Sequence, residues 1–283
     1  MTAAAPLLVA TDATVAFGAV MALDHVSVSI PPGSICGLIG PNGSGKTTLL
    51  GAISRLVPLS AGHIVFNGVE MTARPAHVVS GAGIARTFQA IRLLSHLTVR
   101  ENVMVGATCH LGNCSPIRSW LDIRQSRASE RAARSVADEA LHRVGMSEHG
   151  DAAPSELPYG MQRRVEIARA LATKPKLLLL DEPVAGMNHA ERHEIATLMR
   201  SLQGEGLTQI LVEHDLATIH RVCDVAYVLN FGQVIAHGLP RAVADIPAVR
   251  EAYLGHTSLD DDRTRGESGL RDEVGDGAAA RRS

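Results

Sequence analysis

The chain has 283 residues, of which 46% are hydrophobic and 20% are charged, and its formal net charge is −2. Such a composition is typical of a globular protein with one or two domains. It provides no global positive field for nucleic acid, and aromatic residues, at 3%, are too few to stack on single strands. No apolar run approaches the roughly 20 residues that cross a bilayer, and the N-terminal segment lacks the basic start of a secretory signal. We therefore expect a cytosolic protein, or one attached to a membrane through partners.

Strand and helix patterns predict an α/β fold with a helical insertion. Residues 7–39 favour short strands separated by turns, a helix follows from about Lys46, and segments 62–68 and 84–89 favour further strands. Residues 97–156 contain long stretches of helix-forming residues without strand alternation. This change of character predicts a helical subdomain inserted in the core.

The core pattern resumes after the insertion. We predict, in chain order, a helix at 160–173, a strand at 177–183, a helix at 190–203, and strands at 209–214, 225–230 and 233–238. Continuous apolar strands that alternate with helices indicate a mainly parallel sheet covered on both faces. The charged, glycine-rich residues 257–283 have almost nothing to bury and are predicted to be disordered.

A phosphate-binding motif of the form G-x-x-x-x-G-K-[ST] lies between a predicted strand and a predicted helix. Its residues are Gly40, Pro41, Asn42, Gly43, Ser44, Gly45, Lys46 and Thr47, with Thr48 directly after them. The glycines let backbone N–H groups curl around the β-phosphate of a nucleotide, and the helix N-terminus adds a favourable dipole. We predict that Lys46 reaches the β- and γ-phosphates and that the Thr47 hydroxyl binds Mg²⁺.

The lysine at residue 46 argues against a chance glycine-rich turn. Only three of the 27 basic residues are lysines. The motif nevertheless has a lysine, whose compact ammonium cannot be replaced there by a bulky guanidinium fork. The sequence therefore predicts a nucleotide-binding protein.

An acidic pair, Asp181 and Glu182, follows the apolar run at 177–180. This is the arrangement of a Walker B motif, in which a buried strand ends in carboxylates beside the phosphates. We predict that Asp181 holds Mg²⁺ and that Glu182 orients and deprotonates the attacking water. Taken alone, the pair could equally belong to a buried strand that ends in a solvated loop.

With these motifs the chain resembles the ATP-binding subunits of ABC transporters, over residues 7–255. The resemblance implies that Phe17 stacks on adenine and that His214, in ILVEHD, contacts the γ-phosphate. It also implies that Gln89, in ARTFQ, contacts Mg²⁺ or the water and links the site to a membrane subunit. Taken separately, Phe17 could be a core residue, Gln89 a solvated loop amide and His214 a structural histidine.

The resemblance also implies a division of the chain. A P-loop NTPase core of ABC type, with an N-terminal antiparallel β-subdomain and a mainly parallel sheet flanked by helices, would comprise residues 1–96 and 157–256. The helical subdomain would be residues 97–156, and the tail would begin at 257.

The segment Leu157-Pro158-Tyr159-Gly160-Met161 lies where the family commonly has L-S-G-G-Q. The resemblance implies that Tyr159 and Gly160 cap the γ-phosphate bound by the opposite subunit of an ATP-sandwich dimer. Pro158 supplies neither a hydroxyl nor an N–H for that contact. The proline, the segment GIARTFQ and the ending AVREAYLG are similar to one branch of the family, the ATPases of branched-chain amino acid importers. Met161 departs from that branch, which commonly has glutamine there.

The family and branch imply cofactors and partners. The cofactors would be ATP and Mg²⁺. The partners would be two integral-membrane permease subunits, a second ABC ATPase in a homo- or heterodimer and, indirectly, a substrate-binding protein, with no nucleic acid. The chain would lie peripherally on the cytoplasmic face of the plasma membrane.

Several alternatives use similar motifs. One is the ATPase of a related ABC system, either an importer of urea or another amide or amino acid, or a lipopolysaccharide exporter. Another is a soluble ABC ATPase of translation or DNA repair. The last is another P-loop enzyme, such as a small-molecule kinase. The single cassette without sustained heptads disfavours translation and repair. Gln89, His214 and the signature segment, residues 157–161, would be unexplained in a kinase.

Overall fold

The computed structural model describes residues 5–110, 123–214 and 216–253, with the side chains of all of these except 109–110 and 123–127. The predicted tail at 257–283 lies outside the described residues. In the described ranges the strands are β1 (Leu8–Phe17), β2 (Val20–Ile30), β3 (Ile35–Ile39), β4 (Ala61–Phe66), β5 (Val69–Glu70), β6 (Ile84–Arg86), β7 (Leu177–Asp181), β8 (Thr208–Val212), β9 (Val225–Asn230) and β10 (Gln233–Gly238). The helices are α1 (Lys46–Ile53), α2 (Ala76–Gly81), α3 (Val99–His110), α4 (Ile123–Arg143), α5 (Tyr159–Leu171), α6 (His189–Gly204), α7 (Leu216–Val222) and α8 (Pro240–Ala244). Residues 247–253 are also helical.

The first sheet is antiparallel and has the strand order β2-β1-β4-β5. In the second half of β2, Val26, Val28 and Ile30 are buried while Ser27 and Ser29 between them are exposed. One face therefore packs on a core and the other meets solvent, as the alternation predicts. The predicted N-terminal β-subdomain is confirmed.

The second sheet has the order β10-β9-β3-β8-β7-β6. Its neighbours from β9 to β6 pair in parallel, and only the pairing of β10 with β9 is antiparallel. Every residue of β3, β7 and β8 is buried. The predicted parallel sheet is confirmed.

Neighbouring residues on the buried strands contribute to two different cores. Cys36 and Leu38 of β3 belong to a cluster shared with the first sheet and α1. Ile35 and Ile39 belong to a second cluster, formed largely with helices on the opposite face. The sheet is therefore covered on both sides.

The inserted helices α3 and α4 pack against α5. Val103 of α3 and Ala137 of α4 belong to the same apolar cluster as Val165 of α5. Because these helices share one core with the second half of the chain, a movement of α3 and α4 would displace α5. The division at residues 97 and 156 stays a prediction. No helix within the described ranges is long and apolar enough to cross a membrane.

The strand predicted at 84–89 is shorter than expected, because β6 ends at Arg86. The N–H of Thr87 still donates to Leu179 O over 2.9 Å. The carbonyls of Phe88 and Gln89 instead accept hydrogen bonds from Arg163. The end of the predicted strand is thus a loop fixed by a side chain of α5.

Candidate nucleotide-binding site

Residues 40–48, the phosphate loop, comprise the turn that follows β3 and the first three residues of α1. Gly40 and Gly45 have φ angles of 148° and 103°. A Cβ on Gly40 would lie 2.0 Å from Leu229 O, and one on Gly45 would lie 2.5 Å from Ala22 O. Only glycine fits at these two points, because the loop runs directly against neighbouring backbone.

The other residues of this segment differ in their exposure to solvent. Pro41 and Ser44 are buried, Gly45 and Thr48 are half-buried, and Asn42, Gly43 and Thr47 are exposed. The Ser44 N–H donates to Pro41 O over 3.2 Å. The exposed group presents one hydroxyl, that of Thr47, at the start of α1.

The Lys46 side chain is buried under the loop. Its Nζ donates to Gly40 O over 2.8 Å, to Pro41 O over 2.7 Å and to Ser44 Oγ over 3.4 Å. Burial lowers the pKa of Lys46, and the carboxylates of Glu182 and Asp181 oppose that shift. The predicted phosphate-binding cation therefore lies close to both predicted acidic residues.

Asp181 and Thr47 meet across the site. Asp181 is the last residue of β7, and its Oδ1 accepts from Thr47 Oγ1 over 3.4 Å. The other oxygen, Oδ2, is 2.9 Å from Arg86 Nη2, in an ion pair whose side chains are 4% and 10% exposed. Two of the predicted Mg²⁺ ligands are therefore adjacent in the fold.

Glu182 and Gln89 also meet. Glu182 has a φ of 46° directly after β7, and its N–H donates to Val212 O over 3.0 Å. The Gln89 side chain donates from Nε2 to Glu182 Oε2 over 2.8 Å. The third predicted Mg²⁺ ligand thus contacts the predicted base.

Arg163 fixes the loop that carries Gln89, the glutamine loop at residues 87–92. Its side chain is fully buried and donates to Phe88 O and Gln89 O, over 2.7 Å in each case. It also pairs with buried Glu166 over 2.6 Å. Sequence reasoning missed this residue, although an arginine and a glutamate three positions apart on one predicted helix were a usable signal.

Burial raises the pKa of Glu166, and the neighbouring Arg163 and Arg169 oppose the shift. Arg169 in turn donates to Arg92 O over 2.6 Å. The loop from 87 to 92 is therefore attached to α5 at several points, through Arg163 and Arg169.

His214 lies two residues after the end of β8, and its side chain is exposed. Its neighbour Glu213 is buried and accepts from the Val184 N–H over 3.2 Å. Because β7 and β8 pair in parallel, with Asp181 beside Val212, the two strands end at the same edge of the sheet. His214 therefore lies at the same edge of the sheet as Asp181 and Glu182.

Of the residues predicted to contact adenine or the opposite nucleotide, Phe17 and Tyr159 lie at the surface and Gly160 is buried. Phe17, at the end of β1, is 53% exposed, and Tyr159, at the start of α5, is 42% exposed. Gly160 is buried beside Glu191, so that a Cβ there would lie 3.3 Å from Glu191 Oε1. In the part of the chain that the structure describes, neither Tyr159 nor Gly160 hydrogen bonds to the phosphate loop.

Comparison with known proteins agrees with this geometry. The family model described as ABC transporter matches residues 23–185, and the model described as branched-chain amino acid ATP-binding cassette transporter matches residues 233–257.

Two curated relatives are transport proteins. The high-affinity branched-chain amino acid transport ATP-binding protein BraF of Pseudomonas aeruginosa is 35% identical over 251 residues, or 88% of this chain and 98% of the relative. LivG of Escherichia coli K12, which has the same description, is 37% identical over 255 residues with the same coverage. Among solved structures, the ADP conformation of the ATP-binding cassette MJ1267 superposes with a TM-score of 0.77 at 32% identity, covering 88% of this chain and 99% of that one.

The phosphate loop, the acidic pair and the glutamine loop converge in this fold as in a nucleotide-hydrolysing cassette, and the family match spans them. The chain belongs to the ABC transporter family, as one of its ATP-binding, ATP-hydrolysing subunits.

Proposed function

We propose that this chain energises the import of branched-chain amino acids through permeases carried by separate chains. The observation that best supports the hydrolytic site is the hydrogen bond from Gln89 to Glu182, because it joins residues 93 positions apart beside the phosphate loop. The proposed cargo is supported by the family match at 233–257 and by the names of the BraF and LivG relatives.

ATP would lie with its phosphates against residues 40–48. Backbone N–H groups of this loop and the N-terminus of α1 would surround the β-phosphate. Lys46 would move its ammonium from the loop carbonyls to the β- and γ-phosphates. The exposed ring of Phe17 would cover the adenine by stacking.

The residues present suit Mg²⁺. The hydroxyl of Thr47 and the carboxylate of Asp181 are hard oxygen donors, of the kind that Mg²⁺ prefers, and their oxygens lie 3.4 Å apart. Gln89 would be a further ligand, directly or through water. When bound, the cation would offset charge on the transferring phosphoryl group.

Hydrolysis would then depend on Glu182 as general base. Its carboxylate would accept a proton from the attacking water, while Gln89 holds one carboxylate oxygen and so sets the direction of the other. His214 would contact the γ-phosphate from the end of β8, and Lys46 would stabilise the charge that develops there.

A second cassette, identical or related, would complete each site. Tyr159 and Gly160 would cap the γ-phosphate bound by the opposite subunit. The start of α5 suits this role because Pro158 at the N-cap makes no side-chain capping bond, which leaves helix N–H groups for an anion.

A groove beside the glutamine loop is suited to the permeases. It runs between α2 and β6 on one side and α3 and α5 on the other, with Leu56, His77, Phe88, Val105 and Arg169 in its walls. A permease segment held there would press on the loop that carries Gln89. The chain would thus lie peripherally on the cytoplasmic face of the plasma membrane, and the substrate-binding protein would be reached only indirectly.

The experiment is affinity purification of the tagged chain from mildly solubilised native membranes, with mass spectrometry of the proteins recovered. We expect two polytopic permeases and an ABC ATPase, either this chain or a related one. Recovery of soluble partners alone would contradict the transport proposal. The ligand of the binding protein encoded with the permeases would then test the cargo, and a urea or lipid ligand would contradict branched-chain amino acids.

A further inference from the structure

Arg86 is placed beside the acidic pair by the sheet itself. It is the last residue of β6, and it pairs in register with Leu179 of β7, two positions before Asp181. In parallel strands this offset brings a long side chain at residue 86 level with the end of β7. The guanidinium reaches Asp181 Oδ2 over 2.9 Å in a nearly dry environment.

We propose that Arg86 is a positioning residue for Mg²⁺, which holds one oxygen of Asp181 so that the other faces Thr47. This inference rests on the Mg²⁺ site of the proposed function. Asp181 Oδ2 lies against Arg86 and Oδ1 lies 3.4 Å from Thr47 Oγ1. The two carboxylate oxygens therefore have separate partners, and rotation of the carboxylate would break both contacts.

Arg86 is itself held in place. Its guanidinium carbon lies 5.4 Å from the centre of the Phe88 ring, and Nη1 donates to Ser54 Oγ over 3.4 Å. A cation over an aromatic face is attracted by the ring as well as by the carboxylate. The guanidinium thus fixes the orientation of the Asp181 carboxylate. Hydrogen-bonding partners outside a metal's coordination shell commonly orient its carboxylate ligands in this way.

Two effects of Arg86 on Mg²⁺ have opposite signs. Its positive charge would repel the cation, whereas its hydrogen bond would fix the ligand. We expect the second effect to prevail, because Mg²⁺ demands near-ideal octahedral geometry and a misdirected oxygen cannot supply it. In addition, a buried carboxylate that loses its ion-pair partner would turn toward other donors.

A purely structural role makes a different prediction. If the ion pair only stabilised the fold, its loss would weaken ADP binding equally with and without Mg²⁺. A positioning role affects the Mg²⁺-dependent part alone. The matched control is Arg92, whose guanidinium also lies over Phe88, at 5.2 Å, in a contact that does not involve Asp181.

The experiment measures ADP affinity, first in chelator and then as Mg²⁺ is added, for the full chain and for Arg86→Met, Arg86→Lys and Arg92→Met. ADP is used so that turnover does not interfere. For Arg86→Met we expect the Mg²⁺ midpoint to rise about 10- to 100-fold while ADP affinity in chelator stays unchanged. Arg86→Lys should lie between that variant and the wild type, and Arg92→Met should match the wild type.

An unchanged or lower Mg²⁺ midpoint in Arg86→Met, or an equal loss of ADP affinity in chelator, would overturn the inference. If Arg86→Met does not fold, Arg86→Lys decides, since a raised midpoint supports the inference and an unchanged one contradicts it. A wild-type chain whose ADP affinity does not respond to Mg²⁺ would instead remove the proposed metal site. Failure of this inference alone, with a responsive wild type, leaves the proposed function intact.

Discussion

The side-chain amide of Gln89 donates a 2.8 Å hydrogen bond to Glu182 Oε2. The backbone carbonyl of the same glutamine accepts from Arg163, a buried residue of α5. One residue therefore connects the proposed base to the helix on which the inserted helices pack. Displacement of that helix would change the orientation of the Glu182 carboxylate. Under the proposed function, this is how docking of a permease would affect hydrolysis.

Glu182→Gln should separate binding from hydrolysis. The amide keeps the size of the side chain but cannot accept the proton of water. We expect ATP affinity to be retained and ATP turnover to fall by about 10²- to 10⁴-fold. The measurement is phosphate release, alongside equilibrium ATP binding.

The matched control is Glu148→Gln, an exposed glutamate in the 3₁₀ turn at Ser147–His149. It should leave both quantities unchanged. Wild-type turnover in Glu182→Gln would remove Glu182 from the mechanism.

Gly40→Ala should disrupt the phosphate loop. The added methyl group would lie 2.0 Å from Leu229 O, and a φ of 148° strains any residue with a Cβ. We expect ATP binding to be lost and the thermal unfolding temperature to fall. Gly204→Ala, at the end of α6, meets no atom within 4 Å and should do neither. Normal ATP affinity in Gly40→Ala would show that the loop is not the binding site.

Nucleotide binding should take up a proton at alkaline pH. Burial lowers the pKa of Lys46 in the free protein, with Glu182 and Asp181 opposing the shift. A bound polyphosphate would raise it again, because an opposite charge favours the ammonium. At a pH between the pKa of Lys46 in the free protein and its higher pKa in the complex, Lys46 is protonated only in the complex. In that range ADP affinity therefore falls as pH rises. Below the pKa of Lys46 in the free protein, the ammonium is charged in both the free and the bound protein, and the titration of Lys46 no longer affects ADP affinity.

Calorimetry of ADP binding in two buffers of different ionisation enthalpy measures that proton. The control is Lys176→Arg, an exposed lysine outside the site, which should keep the uptake. Absence of proton uptake across the alkaline range would contradict the placement of Lys46 on the phosphates.

Arg163→Met should destabilise the fold by about 3–5 kcal/mol, because it leaves buried Glu166 without its closest cation. The same change frees the carbonyls of Phe88 and Gln89. Urea unfolding gives the free energy, with Arg164→Met as control. Arg164 pairs with a 60% exposed glutamate, Glu194, and its loss should cost about 1 kcal/mol or less. Equal effects of the two substitutions would contradict the role given to the buried pair.

Much of the fold follows from local pattern. The alternation in β2 and the unbroken apolar runs of β3 and β7 specify which strands have one buried face and which have two. The phosphate loop is equally local, because its glycines and Lys46 are contiguous. These features needed no knowledge of distant contacts, and the mainly parallel sheet was predicted from them. The antiparallel pairing of the N-terminal strands was instead implied by the resemblance to ABC ATP-binding subunits.

The arginine contacts were not predictable in the same way. Arg86 contacts Asp181 across 95 positions, and Arg163 reaches the glutamine loop across more than 70. An arginine in a short strand indicates only that some partner exists, and the partner depends on which strands become neighbours. The early end of β6 has the same origin, since the carbonyls after Arg86 bond to a side chain of α5 rather than to a strand.

The most direct test of the proposed function is uptake of labelled leucine by cells from which the gene for this chain has been deleted. Wild-type protein should restore uptake, and Glu182→Gln, expressed at the same level, should not. Uptake that does not change on deletion, or that is restored equally by Glu182→Gln, would contradict the claim that ATP hydrolysis by this chain drives the import of branched-chain amino acids.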